Sequence, residues 1–256
     1  MRVTVCELNA DANAFSRDWE LLASHVKAQQ SELVVLPEMP FYPWFAVTPR
    51  FEETVWQSTV AAHDYWLTRL IELSPSMVIG TRPINWNGQR LNEGFCWAKD
   101  TGYIVSHHKY YLPDEAGFWE GSWYHRGDGS FTPVGCGAAY VGFQICTELW
   151  GMQNAQLYGK AGVHIIVTPR ATPKSSRDKW LVAGRAAAMI SGAFSVSSNH
   201  LSTETDVVDL GGGGWIISPE GEVLGLTSRK QPFITANLAL NAAEEAKRTY
   251  PRYVFK

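Results

Sequence analysis

The sequence predicts an α/β protein, because short runs of aliphatic and β-branched residues alternate along the chain with stretches of helical periodicity. The 256 residues, 45% of them hydrophobic and 18% charged, can bury a sizeable core. No linker or internal repeat divides the chain. A single domain over residues 1–256 is therefore expected.

The first elements of the chain are a strand, a helix and a second strand. Residues 3–8 form an apolar run that predicts the first strand. Apolar side chains between residues 15 and 26 recur every three or four positions, which predicts a helix. The aliphatic run 33–36 predicts a buried strand, and Pro37-Glu38 ends it.

A second helix is expected over residues 53–73, and a group of strands follows it. The turn signal Asn87-Gly88 separates the first two of these strands. The expected strands are 77–81, 94–98 and 103–107.

The second half of the chain continues the alternation from a strand over 139–145. Helices are expected over 152–161 and 178–190. The four glycines 211–214 do not match a phosphate-binding loop and indicate a tight turn or bulge. The remaining expected strands are 163–168, 193–197, 215–217, 223–226 and 233–237.

Charge and hydropathy exclude several classes of partner. A net charge of −3 gives no electrostatic footprint for nucleic acid or an anionic membrane. The longest uncharged stretches, 131–147 and 186–203, are interrupted by Gly, Pro, Ser or Asn and do not resemble membrane spans. The N-terminus lacks the pattern of a signal peptide. We therefore expect a soluble, cytoplasmic protein.

The four cysteines are too few and too scattered for a disulfide framework. Cys6, Cys96 and Cys136 are expected to be reduced, inert thiols, whereas Cys146 has different neighbours. The pair His107-His108 lacks partners at zinc-ligand spacing, so no metal site is expected.

Glu38, Lys109 and Cys146 each lie just past the end of an expected strand. The carboxyl ends of strands in α/β sheets are where catalytic groups gather, so the three side chains can converge. A thiol needs a base or a positive charge to act as a nucleophile. Taken singly, each residue could be structural, but the set favours catalysis, with Glu38 as base and Lys109 stabilising an oxyanion.

The segments around these residues, in this order, are similar to those of the nitrilase (carbon–nitrogen hydrolase) superfamily, in its amidase-type members. The matching segments are Leu36-Pro37-Glu38, His108-Lys109, Leu112-Pro113-Asp114, Gly117-Phe118-Trp119-Glu120, Gly127-Asp128, Gly142-Phe143-Gln144-Ile145-Cys146, Gly162-Val163-His164-Ile165-Ile166 and Pro219-Glu220-Gly221-Glu222-Val223-Leu224.

The resemblance implies an α-β-β-α four-layer sandwich, homo-oligomers built from dimers, and no metal or organic cofactor. It implies Glu38 as general base, Lys109 as the cation that stabilises the oxyanion, and Cys146 as nucleophile. Glu120 lies eleven residues after Lys109 (120 minus 109) and is expected to be the second glutamate, in preference to Asp114 or Glu115.

The substrate site is expected to include Phe41 and Trp44, which closely follow Glu38, and Thr147, which follows the nucleophile. Arg170 stands at another strand end and could bind an anionic group of the substrate. Its alternative role is to pair with Glu148 and brace the nucleophile turn.

The expected activity is hydrolysis of a small amide through a cysteine thioester, with release of ammonia. The alternatives are a nitrilase that acts through a thioimidate, an N-carbamoyl amidohydrolase, and a non-catalytic scaffold subunit. The arginine pair that binds carboxylate in some carbamoylases is absent, which counts against a carbamoyl-amino-acid substrate. A small-molecule amide or nitrile is the expected partner.

Overall fold

Two β-sheets pack face to face, with helices on their outer faces, and form an α-β-β-α sandwich. The structure is a computed structural model that describes residues 1–9, 11–73, 77–203 and 206–255. The sandwich confirms the fold class expected from the sequence. None of the helices in these ranges has the length and apolar character that crossing a membrane would require.

The first sheet has the strand order β10-β1-β2-β3-β4-β5, and β13 also pairs with β1. Its central strands β1, β2 and β3 are parallel, whereas β3, β4 and β5 are antiparallel neighbours. The strands are β1 (Arg2–Asn9), β2 (Leu33–Val35), β3 (Met77–Trp86), β4 (Gln89–Ala98), β5 (Gly102–His108), β10 (Asn199–Leu201) and β13 (Phe233–Asn237).

The second sheet has the order β12-β11-β9-β8-β7-β6. Strands β7, β8 and β9 are parallel, and the outer pairs on both sides are antiparallel. Its strands are β6 (Val134–Cys136), β7 (Ala139–Phe143), β8 (Ile165–Val167), β9 (Phe194–Ser197), β11 (Trp215–Ile217) and β12 (Val223–Leu226).

The helices occupy the outer layers and the loops near the sheet ends. The α-helices are α1 (Ala12–Gln29), α2 (Glu53–Leu67), α3 (Glu120–Trp123), α4 (Met152–Lys160), α5 (Arg177–Ser191) and α6 (Leu240–Ala246). Short 3-10 helices cover Leu70–Leu73, Cys146–Trp150, Lys174–Ser176 and Arg252–Phe255.

The main core lies between the sheets, where aliphatic side chains of both sheets meet. Val5 and Val35 from the first sheet belong to the same buried cluster as Val141 and Ile165 from the second. A separate cluster forms where α1 packs its apolar stripe, including Trp19, on the outer face of the first sheet. Burial of both faces explains why the central strands are almost continuously apolar.

The expected elements are largely observed, with differences at their ends. The helix expected over 53–73 is α2 followed by the 3-10 helix Leu70–Leu73. Asn87 (φ 49°) and Gly88 (φ 76°) form the turn of the β3–β4 hairpin, as expected from the sequence. The short elements β6, β10, α3 and α6 were not predicted, because three to seven residues carry too little periodicity.

A disulfide joins Cys96 of β4 to Cys136 of β6, so the expectation of reduced thiols is wrong for this pair. The two residues are 40 positions apart in sequence, and their strands lie in different sheets, yet their Cα atoms are 6.9 Å apart. The pairing depends on the stacking of the sheets, which cysteine spacing does not reveal. Cys6 and Cys146 are free thiols.

Candidate active site

Glu38, Lys109 and Cys146 lie together at the ends of β2, β5 and β7, as the sequence predicts. Lys109 Nζ donates to Glu38 Oε1 at 2.7 Å, and both side chains are fully buried. The Cys146 side chain is also buried, and the charges of both residues act on its thiol. Glu38, Lys109 and Cys146, which span 108 positions of the sequence (146 minus 38), therefore lie close together in the structure.

Glu120, at the start of α3, completes this group. Lys109 Nζ donates to both of its carboxylate oxygens, at 2.9 and 2.6 Å. Asp114 and Glu115, the other acids of this loop, are exposed. The geometry therefore places Glu120, and not its neighbours, beside Lys109.

The Lys109 ammonium is held between two buried carboxylates. Burial by itself lowers the pKa of Lys109, but Glu120 and Glu38 outweigh that effect and raise the pKa above its ordinary value. Burial raises the pKa of Glu120 to about 7, although Lys109 opposes that shift. Lys109 therefore remains charged at neutral pH, ready to donate to a developing negative charge.

The nucleophile turn has strained backbone geometry. Cys146 has a φ of 47°, in the left-handed region that non-glycine residues rarely adopt, and its N–H donates to Pro169 O at 3.0 Å. Burial and the neighbouring Glu38 raise the pKa of the Cys146 thiol, and Lys109 only partly offsets them. Cys146 is therefore a neutral thiol at rest, and such a thiol can act as a nucleophile only when a base takes its proton.

Sequence reasoning missed the residues that orient Glu38. Asn92 of β4 donates from Nδ2 to Glu38 Oε1 at 2.8 Å, the same oxygen that Lys109 contacts. His200 Nε2 lies 2.6 Å from the main-chain oxygen of Glu38. In the sequence Asn92 is one of several polar residues of β4, and no local pattern marks it as the partner of Glu38.

A second missed pair, Glu148 and His107, ties the nucleophile turn to β5. His107 Nε2 lies 3.0 and 2.9 Å from the two Glu148 carboxylate oxygens. The same carboxylate accepts the main-chain N–H of Tyr110 at 2.7 Å and that of Ile145 at 2.8 Å. Because Tyr110 follows Lys109 and Ile145 precedes Cys146, this buried carboxylate fixes the two catalytic segments relative to each other.

A cavity of about 190 Å³ opens beside Cys146. Its size suits a small substrate. Thr147 is on its wall, as expected from the sequence. The lining consists of Pro113, Glu115, Phe118, Glu120, Cys146, Thr147, Ala171, Thr172, Pro173, Ser176 and Trp180.

The structure does not bring Phe41 or Trp44 to this wall. Phe41 packs into the core beneath α1, with its ring centroid 5.7 Å from that of Phe15. Trp44 lies behind the wall, where its Nε1 donates to Gly117 O at 2.8 Å and its ring contacts Phe118. Trp44 therefore supports the loop that forms the wall.

Arg170 is fully buried and does not line the cavity either. Its guanidinium donates to Ser197 Oγ, Thr172 Oγ1 and Gly213 O at 2.7 to 2.8 Å and lies over the Trp215 ring. Glu148, the alternative partner expected from the sequence, instead bonds His107 and two main-chain N–H groups.

The main chain at Pro169 and Arg170 connects the Glu38 segment to the Cys146 segment. Its carbonyl oxygen accepts the N–H of Glu38 at 3.2 Å, and the carbonyl of the preceding Pro169 accepts the N–H of Cys146. The side chain fixes this segment to β9 and to the glycine turn at Gly213. Arg170 is therefore placed to hold the catalytic residues in register.

Arg170→Met is expected to lower kcat about tenfold for every substrate and leave the ranking of substrates unchanged, because a small displacement of the Glu38 and Cys146 segments affects each substrate alike. Three buried acceptors would each lose one donor, so the free energy of unfolding should fall by about 3 kcal/mol. Steady-state kinetics on several substrates and denaturant unfolding measure both effects.

Arg185→Met is the control, because Arg185 also donates to a main-chain carbonyl, that of Gly221, and does not line the cavity. It should leave kcat unchanged. A rise in KM confined to anionic substrates in Arg170→Met would instead assign Arg170 to substrate recognition.

Among the described residues, no group of three or more His, Cys, Asp and Glu side chains has the arrangement of a metal site. Cys146 provides a thiol, and the side chains near it provide an ammonium, two carboxylates and an amide. They can transfer protons and stabilise charge, which is what attack by a thiol on a carbonyl carbon requires.

Solved structures of similar fold cover almost the whole chain. The carbon–nitrogen hydrolase from Helicobacter pylori G27 superposes with a TM-score of 0.86 at 19% identity, covering 100% of this chain and 95% of that one. An amidase variant from Nesterenkonia sp. AN1, which carries acrylamide added to its active-site cysteine, superposes with a TM-score of 0.78 at 14% identity, covering 96% of each chain. These similarities establish the fold.

Sequence comparison establishes the family. An omega-amidase, NIT2, from Xenopus tropicalis is 25% identical over 234 residues, which are 86% of this chain and 81% of the relative. The family model for carbon-nitrogen hydrolases matches residues 2–248. The chain therefore belongs to the carbon-nitrogen hydrolase family of the nitrilase superfamily and is an enzyme with an active-site cysteine.

Proposed function

We propose that the protein is an amidase, which hydrolyses a small amide through a thioester on Cys146 and releases ammonia. The observation that carries this proposal is the buried Glu38–Lys109–Glu120 group beside a cysteine that opens onto a cavity. The amidase names of the NIT2 and Nesterenkonia relatives support the same reaction.

Glu38 is the general base in this proposal. Lys109 and Asn92 both bind its Oε1, while its Oε2 is buried and makes no hydrogen bond to the described residues. Oε2 is therefore the atom that takes the Cys146 proton as sulfur attacks the carbonyl carbon. The thiol requires this assistance because its pKa is raised.

The carbonyl oxygen becomes an oxyanion when the carbon–sulfur bond forms. Lys109 supplies a fixed positive charge, and the main-chain N–H of Thr147 is assigned as the second donor, since Thr147 follows Cys146 on the wall. Collapse of the intermediate breaks the carbon–nitrogen bond, and Glu38 returns the proton to the departing nitrogen, which leaves as ammonia.

Hydrolysis of the thioester completes the cycle. Glu38 removes a proton from water, hydroxide adds to the thioester carbon, and the carbon–sulfur bond breaks. The carboxylic acid leaves, and the thiol regains its proton. Glu120 stays paired with Lys109 and holds it in place throughout.

Mass spectrometry of acid-quenched reactions tests the proposal. Butyramide should release ammonia and leave a butyryl group on the peptide that contains Cys146, whereas butyronitrile should give little turnover. Faster turnover of butyronitrile, with a thioimidate on Cys146, would assign the protein as a nitrilase.

A further inference from the structure

The described wall of the cavity beside Cys146 carries negative but no positive side chains. Glu115 and Glu120 are its two carboxylates, and neither lysine nor arginine contributes to the lining. Small hydroxyl side chains and five apolar residues also line the cavity. The apolar residues are Pro113, Phe118, Ala171, Pro173 and Trp180. An anionic substrate group would lose its hydrating water on binding, and no cation on this described wall would compensate for that cost.

The two carboxylates differ in burial and in their hydrogen-bond and ion-pair partners. Glu120 is buried and bound to Lys109, so it cannot bind a substrate cation without giving up that ion pair. Glu115 is exposed at the cavity rim, and its carboxylate makes no hydrogen bond or ion pair with the residues that the structure describes. Its neighbour Asp114, by contrast, accepts from Ser122 Oγ at 3.1 Å.

The backbone beneath Glu115 is held in place. Its N–H donates to Phe118 O at 3.3 Å, and Phe118 N–H donates back to Glu115 O at 2.8 Å. Trp44 Nε1 binds the Gly117 carbonyl in the same loop. The rim therefore presents a free carboxylate on a fixed support.

Two cations in neighbouring segments do not compensate for this charge. Arg170 is fully buried, with its donors used by Ser197, Thr172 and Gly213. Lys174 follows the wall residue Pro173, but it is exposed and does not line the cavity. Glu115 therefore carries a negative charge that no cation on the described cavity wall neutralises.

We propose that Glu115 makes the enzyme selective for small amides with an amine at the far end and against those with a carboxylate. This inference rests on the proposed amidase function. The amide would meet Cys146, the methylene chain would lie on the apolar wall, and the ammonium would reach the Glu115 carboxylate. Opposite charge would favour the amine, and like charge would exclude the acid.

Three amides of similar length test the proposal: 4-aminobutyramide, butyramide and succinamate. At low ionic strength kcat/KM should fall in that order, by about fivefold at each step, the scale of an exposed charge pair. Glu115→Gln should bring 4-aminobutyramide down to the butyramide value and leave butyramide within about twofold. Raising the salt concentration from about 0.01 to 1 M should weaken the preference.

Glu20→Gln on α1 is the matched control, since it removes the same charge from an exposed position remote from the cavity. Glu20→Gln should leave the kcat/KM ranking of the three amides unchanged. An unchanged ranking in Glu115→Gln would overturn the proposal. A preference for succinamate that is lost in Lys174→Gln would also overturn the proposal. If none of the three amides released ammonia or acylated Cys146, the amidase function itself would be refuted, whereas turnover insensitive to charge would refute only the role of Glu115.

Discussion

Cys146→Ala is expected to reduce ammonia release by on the order of 10⁴-fold or more, as when hydrolases lose their nucleophile. In the proposed mechanism the buried thiol, the one cysteine on the described cavity wall, forms the covalent bond to carbon. The free energy of unfolding should change by no more than about 1 kcal/mol, because only one sulfur atom is removed. Ammonia release and denaturant unfolding give the two values.

Cys6→Ala supplies the matched control. Cys6 is also a fully buried free thiol, but it lies in β1 with its sulfur 3.5 Å from Val35 O. This variant should lose a similar amount of stability and keep its turnover. If Cys146→Ala retained more than about a hundredth of the rate, direct attack by water would replace the thioester mechanism.

The convergence of the candidate catalytic residues could be predicted from the sequence because these residues are reactive groups at the ends of apolar strands. Glu38 and Cys146 end the buried runs of β2 and β7, where few charged or nucleophilic residues are expected by chance. The order of Glu38, Lys109 and Cys146, with Glu120 at its spacing from Lys109, also resembled the family. Local patterns were therefore sufficient to place Glu38, Lys109 and Cys146 together, whereas Glu120 was selected through the resemblance.

The surrounding residues could not be predicted because side-chain direction depends on tertiary packing. Phe41 is three residues from Glu38, but the backbone between them is left-handed at Met39 (φ 46°), and the Phe41 ring packs against Phe15 in the core. Arg170 stands at a strand end, as expected, yet its side chain points into the protein toward Ser197 and Gly213. Sequence distance to a catalytic residue therefore did not predict a place on the cavity wall.

The supporting contacts join segments that are distant in sequence. Glu148 and His107 are 41 residues apart, and Asn92 and Glu38 are 54 apart. Each is an ordinary polar residue in its local sequence. Only the stacking and register of the strands bring these pairs together, so a single sequence does not reveal them.

Lys109→Met is expected to cost both activity and stability, because it leaves Glu38 and Glu120 buried without their shared cation. Loss of one partner from a buried ion pair typically costs about 3–5 kcal/mol. Loss of an oxyanion donor lowers kcat by about 10²- to 10³-fold. Chemical denaturation and amide kinetics measure the two effects independently.

The stability loss should depend on pH. Burial already raises the pKa of Glu120 to about 7 while Lys109 opposes that shift, so removal of Lys109 should raise this pKa further. A buried carboxyl with a raised pKa destabilises the fold when it is ionised. The difference in stability between Lys109→Met and the parent protein should therefore shrink as the pH falls from about 8 to 5.

The double variant Lys109→Met with Glu120→Gln separates the two roles of the lysine. Removing the second carboxylate charge relieves the repulsion with Glu38, so the double variant should be more stable than Lys109→Met at pH 8. Its kcat should stay at least about 10²-fold below that of the parent, because no cation faces the oxyanion. Recovery of kcat together with stability would show that Lys109 only neutralises the carboxylates and takes no part in catalysis.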